Sequence, residues 1–228
     1  MTMFRNVGDL FDNAQLEKLN TLPAWKSGKI EQARHGILEA LAKLPEPTVT
    51  EEGGEPRPMD RNANRYYWVT HVLRALGYCA SVAEMTPSEE DLRPDFTLFQ
   101  TANDFRQAKE YRGQREFFAH ALALVRVLSW GASMEEQELG GETINPAFVL
   151  DRMLRVTGVE WGMLTNGLVW RLYHRDSSGT LQTFYEVDLM EALKSQNAEA
   201  FKYFWIAFAP DSLARTSGAD SLLYKLLN

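Results

Sequence analysis

Three side chains in the middle of the chain have the types and spacing for phosphoryl chemistry. Asp95 follows Pro94 at the head of the run RPDFTLF, and Gln107 and Lys109 stand two apart in FRQAKEY. Residues two apart on a strand point to one face, so two adjacent strands would bring a carboxylate, an amide oxygen and an ammonium together. Converging oxygens hold a hard divalent cation, Mg2+ or Mn2+, and such a cation polarises a phosphate oxygen beside the attacking water. Lys109 would orient that water and offset the developing charge. A plainer reading is also open. A carboxylate at a strand entry can be satisfied by backbone N–H groups, and a strand lysine can simply face solvent.

The elements that must position these groups can be read from periodicity. Arg93 to Phe99 and Phe105 to Tyr111 read as two strands joined by the polar turn Thr101 to Asp104, a β-hairpin. Upstream, NRYYWVTHVLRALGY places Val69, Val72, Leu73 and Leu76 on one helical stripe, with Gly77 as terminator. Downstream, QREFFAHALALVRVLSW is apolar on almost every side and predicts a helix packed on both faces. A Gly-rich loop around Glu135 to Glu142 follows, then a helix from Pro146 through Met153. A second hairpin pairs Trp161 to Thr165 with Leu168 to Tyr173 across Asn166-Gly167, a pair suited to a type I′ turn. Another strand is expected near Leu181 to Val187, and helices from Leu189 onward. At the start, helices are expected over Val7 to Leu19 and Ser27 to Leu44, followed by a Pro/Gly-rich linker from Pro45 to Pro58.

This order predicts an α/β fold with a mixed central β-sheet flanked by helices and with helical N- and C-terminal appendages. The boundaries drawn are an N-terminal helical segment and linker over residues 1–58, a core over 59–190 and a C-terminal helical segment over 191–228. With 228 residues, 45% of them hydrophobic, the chain can bury a sizeable core. One cysteine, Cys79, excludes an internal disulfide and a cysteine-cluster metal site, which points to a reducing, cytoplasmic setting. No stretch reads as a signal peptide or a membrane span. The net charge of −7 argues against a free-standing, high-affinity DNA binder, because that affinity comes from basic groups displacing counterions.

Pro94-Asp95 and Gln107-Ala108-Lys109 resemble the two halves of the PD-(D/E)xK nuclease motif, with Gln in place of the acid, as in an Mrr-like QxK variant that has an aromatic after it, here Tyr111. The flanks NRYYWVTHVLRALGY, NPAFVLDRMLRVTGVE and WGMLTNGLVWRLYH, in that order, are similar to the N-terminal nuclease domain of type IIG restriction-methylases and of type I restriction subunits. The resemblance spans Asn64 to Trp205 and implies a restriction-endonuclease-like fold. It also implies an Mg2+-dependent endonuclease domain of a restriction or phage-defence enzyme. Asp95 and Gln107 would be its metal ligands and Lys109 its catalytic cation, with Asp60 the nearest candidate for a third ligand. Double-stranded DNA is the implied partner, with a transient dimer on DNA to cut both strands and a methyltransferase or motor domain in the full-length protein. The apolar end LLYKLLN reads as a fragment of something longer, and neither GxxxxGK[ST] nor a methylase motif is present. The alternative is a noncatalytic nuclease-like module that binds DNA or a neighbouring domain, the Gln marking lost metal affinity.

Most of the remaining chemistry-bearing residues read as structural. His120 is expected inside the apolar helix and Trp161, Trp170 and Tyr173 as hairpin core, while Gln114 and Glu116 fit equally well as solvated capping residues or as groups reaching the metal or DNA from the helix start. His35, His71, His120 and His174 lack zinc-ligand spacing.

Overall fold

The computed structural model describes residues 4–45, 58–88, 92–195, 199–215 and 220–227. Its strands are β1 (Phe4–Val7), β2 (Cys79–Val82), β3 (Phe96–Phe99), β4 (Ala123–Val127), β5 (Gln137–Leu139), β6 (Glu142–Ile144), β7 (Trp161–Thr165), β8 (Val169–His174) and β9 (Phe184–Asp188). Its helices are α1 (Asn13–Leu16), α2 (Lys29–Leu41), α3 (Arg61–Asn64), α4 (Thr70–Leu76), α5 (Ala102–Ala108), α6 (Arg115–Phe118), α7 (Pro146–Thr157), α8 (Leu189–Lys194), α9 (Ala200–Phe208), α10 (Pro210–Leu213) and α11 (Leu222–Leu226). The fold is α/β: a seven-stranded sheet in the order β1-β9-β8-β7-β4-β3-β2, flanked by helices, with β5 and β6 forming a small hairpin apart from it. Every neighbouring pair in the sheet is antiparallel except β4 and β7. A parallel pair needs a crossover, and α7 supplies it.

The sheet separates two apolar clusters. One side carries Ile37, Val72, Leu98, Val125, Trp170, Phe204 and their neighbours, and the other Phe99, Phe117, Leu124, Leu150, Leu154 and Leu164. Strand β4 is buried along its whole length because it lies between β3 and β7 and is covered on both faces. The segments expected to be appendages belong to this body. Strand β1 closes one edge of the sheet against β9, and Trp25, Ile30 and Ile37 share a cluster with Phe201, Phe204 and Leu223. No helix among the described residues is long and apolar enough to cross a membrane.

Several expectations hold. The run from Arg61 to Leu76 is helical, buries Val69, Val72, Leu73 and Leu76, and ends on Gly77 in the left-handed conformation (φ +100°). Its middle, Arg65–Val69, is a π-helical turn: the Thr70 N–H and hydroxyl both reach the Arg65 carbonyl, one residue further back than in an α-helix. The β7–β8 hairpin forms, but only Gly167 takes a positive φ (+90°). Asn166 serves through its side chain, accepting from the Leu168 and Val169 N–H groups and donating to the Ala132 carbonyl.

Two expectations fail, and they are linked. Phe105 to Tyr111 is not a strand: Ala102–Ala108 is helix α5, capped by a reciprocal Thr101–Asp104 box, and Lys109–Tyr111 is a 3-10 turn. Nor is the following run one helix. After the single turn α6, the chain extends into β4, which takes the place beside β3 assigned to residues 105–111. Val7 to Leu19 is also only partly helical, with β1 before it and α1 inside it. The Gly-rich loop contains the β5–β6 hairpin, turning on Gly140 and Gly141. The linker lies, but for its ends, outside the described residues.

Candidate functional site

Strand β3 enters the sheet through Asp95, whose N–H donates to the Val125 carbonyl at 2.8 Å. The side chain is 2% exposed. Its Oδ2 accepts from the Val127 N–H at 2.7 Å and from Arg61 Nη2 at 2.9 Å, and that same nitrogen lies 2.9 Å from Oδ1. Arg65 Nη1 stands 3.7 Å from Oδ1. The spacing is helical: Arg61 and Arg65 are four apart at the start of the helical run and reach the same carboxylate. Asp60 does not join them. It caps α3, accepting from the Ala63 N–H at 2.8 Å, and is exposed.

The register of β3 with β4 pairs Phe96 with Val125, so one step further places Asp95 opposite Arg126. Leu124 and Leu128 share that face and pack in the cluster around Leu150. Arg126 is 4% exposed. One of its nitrogens donates to the Gln137 side chain at 2.7 Å, while its Nε has no hydrogen-bond partner. Burial pulls the Arg126 guanidinium down to about 10, the Arg61 charge adds to this and Asp95 opposes it. Burial sets this shift, and the one nearby carboxylate does not outweigh it.

Gln107 and Lys109 are elsewhere. Both are exposed, one on α5 and one on the 3-10 turn. Lys109 Nζ sits 4.5 Å from the centre of the Phe105 ring, which packs tilted against Phe99 at 5.3 Å. Phe99 ends the strand that Asp95 begins, about 13 Å away at the rise of an extended chain. The Asp95 cavity is lined by neither residue. The expected trio therefore does not converge, because the helix–strand exchange moved residues 105–111 to the other end of β3. Among the described residues no group of three or more His, Cys, Asp and Glu side chains could hold a metal. Asp95, alone and already held by Arg61, is not a donor set that fits a divalent cation.

What the structure assembles instead is a cavity of about 450 Å3 at the carboxyl end of β4, with Arg61, Arg65, Arg93, Arg126 and Arg152 around Asp95. No protein-family model, curated protein or solved structure matches the chain. The cavity's own chemistry is that of an anion site, since guanidinium groups match planar and tetrahedral oxyanions bidentately. Its apolar wall is Leu139, Ile144, Phe148 and Met153, from the small hairpin and α7. Sequence reasoning missed the arginines, though one signal was available. Arg126 is the single charge in the run LALVRVLSW, and a charge inside an apolar run has to find a partner.

Other residues fall as expected: Trp161, Trp170 and Tyr173 are core. His120, by contrast, is exposed after α6.

Proposed function

We propose that this is a nuclease-like module that binds DNA without cutting it. The observation that carries the reading is the face of β4 beside Asp95. Catalysis of the PD-(D/E)xK kind needs an acid or its amide, and a lysine, on the strand adjoining the aspartate, and Leu124, Arg126 and Leu128 stand there. The resemblance supports the nuclease-like half of the reading: a mixed sheet between helices, with a Pro-Asp pair at the mouth of an inner strand, is the layout it implies. The arginine cavity supports the binding half, because phosphate contacts supply most nonspecific affinity for DNA. A net charge of −7 keeps that affinity local to the cavity.

The test pairs a plasmid-nicking assay in Mg2+ or Mn2+ with a duplex band-shift assay at two salt concentrations. The expected result is no nicking, together with a shift that weakens as salt rises and is lost in Arg61→Ala. Metal-dependent nicking that disappears in Asp95→Ala would restore the endonuclease reading.

A further inference from the structure

We propose that the Asp95 cavity takes a terminal nucleoside monophosphate unit, its phosphate monoester on Arg61, Arg65 and Arg126 and its base against Phe148. The unit is either a free nucleotide or the phosphorylated end of a strand. Only the second source rests on the DNA-binding reading.

The inner charges set the valence. The guanidiniums set directly about Asp95, Arg61 and Arg65 by ion pairing and Arg126 by strand register, less its one carboxylate, leave a formal +2, with Arg93 and Arg152 lining the same cavity outside that count. A phosphate monoester carries about −1.5 to −2 at neutral pH, so it closes that balance. An internal phosphodiester, with one charge, leaves it half open. The donors are already built: Arg126 Nε and Arg61 Nε are buried without a hydrogen-bond partner, and Arg126 is held by Gln137 from the far side. An unpartnered buried N–H is costly unless something accepts from it. Arg61 is oriented by the carboxylate that it grips, so the fork is set before the ligand arrives.

The opposite wall is of different character. Phe148 is 46% exposed and Leu139 48% exposed, and both line the cavity. Exposed apolar groups facing one buried and two part-exposed cations describe a ligand with a flat apolar body and an anionic head. The Arg152 guanidinium lies over the Phe148 ring at 5.7 Å, and Phe148 keeps 46% of its surface exposed, against which a base can stack. A volume of about 450 Å3 falls within the range of small-ligand sites.

Binding to the full chain is measured by titration calorimetry at one fixed salt concentration. The probes are deoxyadenosine 5′-monophosphate, deoxyadenosine, inorganic phosphate, and a short blunt duplex with and without 5′-phosphates. The expected result is that the monophosphate binds at least about tenfold tighter than either deoxyadenosine or inorganic phosphate. If the strand end is the source, the phosphorylated duplex exceeds the hydroxyl duplex by a similar factor. Arg126→Met abolishes the monophosphate signal without lowering the melting temperature, and Arg61→Gln weakens it if the first variant does not fold. Phe148→Ala weakens the nucleotide but not inorganic phosphate. Nucleotide binding with no duplex binding keeps the proposal with a free nucleotide as ligand and removes the DNA reading. Equal binding of the two duplexes without monophosphate binding overturns the proposal and leaves the DNA reading standing. So does inorganic phosphate binding as tightly as the nucleotide, and an absence of binding by all probes overturns both.

Discussion

Two arginines on the same side of the sheet, Arg126 and Arg171, are almost equally buried and differently treated. Arg171, on β8, gives its Nε to Glu186 at 2.6 Å, one terminal nitrogen to Glu135 at 2.6 Å and the other to the Met134 carbonyl at 3.2 Å. Its Cζ lies 4.2 Å from the Phe184 ring centre, and Arg5 closes the far side of Glu186. Burial draws this guanidinium down, but hydrogen bonds to Glu135 and Glu186 more than reverse it, and the net shift is upward. Arg126 has one side-chain acceptor, an unpartnered Nε and a net downward shift. The first cluster is closed and holds β8, β9 and the loop before β5 together. The second is left open toward a cavity. A buried charge whose valences are all filled is architecture, whereas one with a valence in hand is a place for something else to bind.

Breaking the closed cluster should have the largest effect. Glu186→Gln leaves the Arg171 and Arg5 charges with less than their due, and a loss of about 3 kcal/mol of unfolding free energy is expected in urea titration. A loss under about 1 kcal/mol would mean that Glu135 and the Met134 carbonyl suffice, and the contrast between the clusters would shrink. Asp95→Asn comes next, at about 2 kcal/mol, because Arg61, Arg65 and Arg126 then face one another without their carboxylate. The same substitution should tighten phosphate binding by removing a repelling charge. Weaker phosphate binding in a folded Asp95→Asn protein would show that the carboxylate matters chiefly by orienting Arg61.

A third buried group tests whether incomplete pairing alone makes a binding site. His174, at the end of β8, has its Nε2 unpartnered and Trp161 against its ring at 4.8 Å. Burial lowers its pKa, with Asp176 and Glu160 opposing. The folded state therefore keeps it neutral while the unfolded chain takes up a proton near pH 6.5. Its contribution is complete above that pH and is lost as pH falls from there toward the lowered folded value. The melting temperature should accordingly drop between pH 7 and 5.5, and His174→Gln should flatten that segment of the profile. An unchanged slope in the variant would assign the acid sensitivity elsewhere. The smallest effect is expected at Gln107. Gln107→Glu, on an exposed face of α5, should change stability by under about 0.5 kcal/mol and leave Mg2+ affinity unaltered. A gain in Mg2+ affinity on titration would bring the expected metal site back.

How much of this was legible divides at Asp104. The helix ending at Gly77, the strand opened by Asp95, the β7–β8 hairpin and α7 all follow from periodicity and local chemistry, because each is amphipathic or sharply capped. The exchange of helix and strand over residues 101–128 has two causes. Phe105, Gln107 and Lys109 alternate as a strand does, yet Thr101 and Asp104 have capping-box spacing, and that local signal for a helix start prevails. Strand β4, covered on both faces, has no polar side to alternate with, so its apolar run is indistinguishable by period from a buried helix. The β-branched Val125 and Val127 were the available hint. Since the strand beside Asp95 chooses its partners, this one exchange replaced an amide and a lysine with an arginine and two leucines.

The π-helical turn at Arg65–Val69 sets the phase between two stretches of one helical run. Such a turn holds one residue more than an α-turn, and one residue in a helix is worth about 100° of rotation. Before it and at its first residue Arg61 and Arg65 face the carboxylate, and downstream Val72, Leu73 and Leu76 face the core. Deleting either exposed tyrosine, Tyr66 or Tyr67, should turn Arg61 and Arg65 away from Asp95, and with them Asn64, which is buried and donates to the Leu128 carbonyl. One extra residue in the helix thus ties the aim of Arg61 and Arg65 at Asp95 to the seat of Asn64 beneath the Leu128 carbonyl, so neither can be rephased without the other.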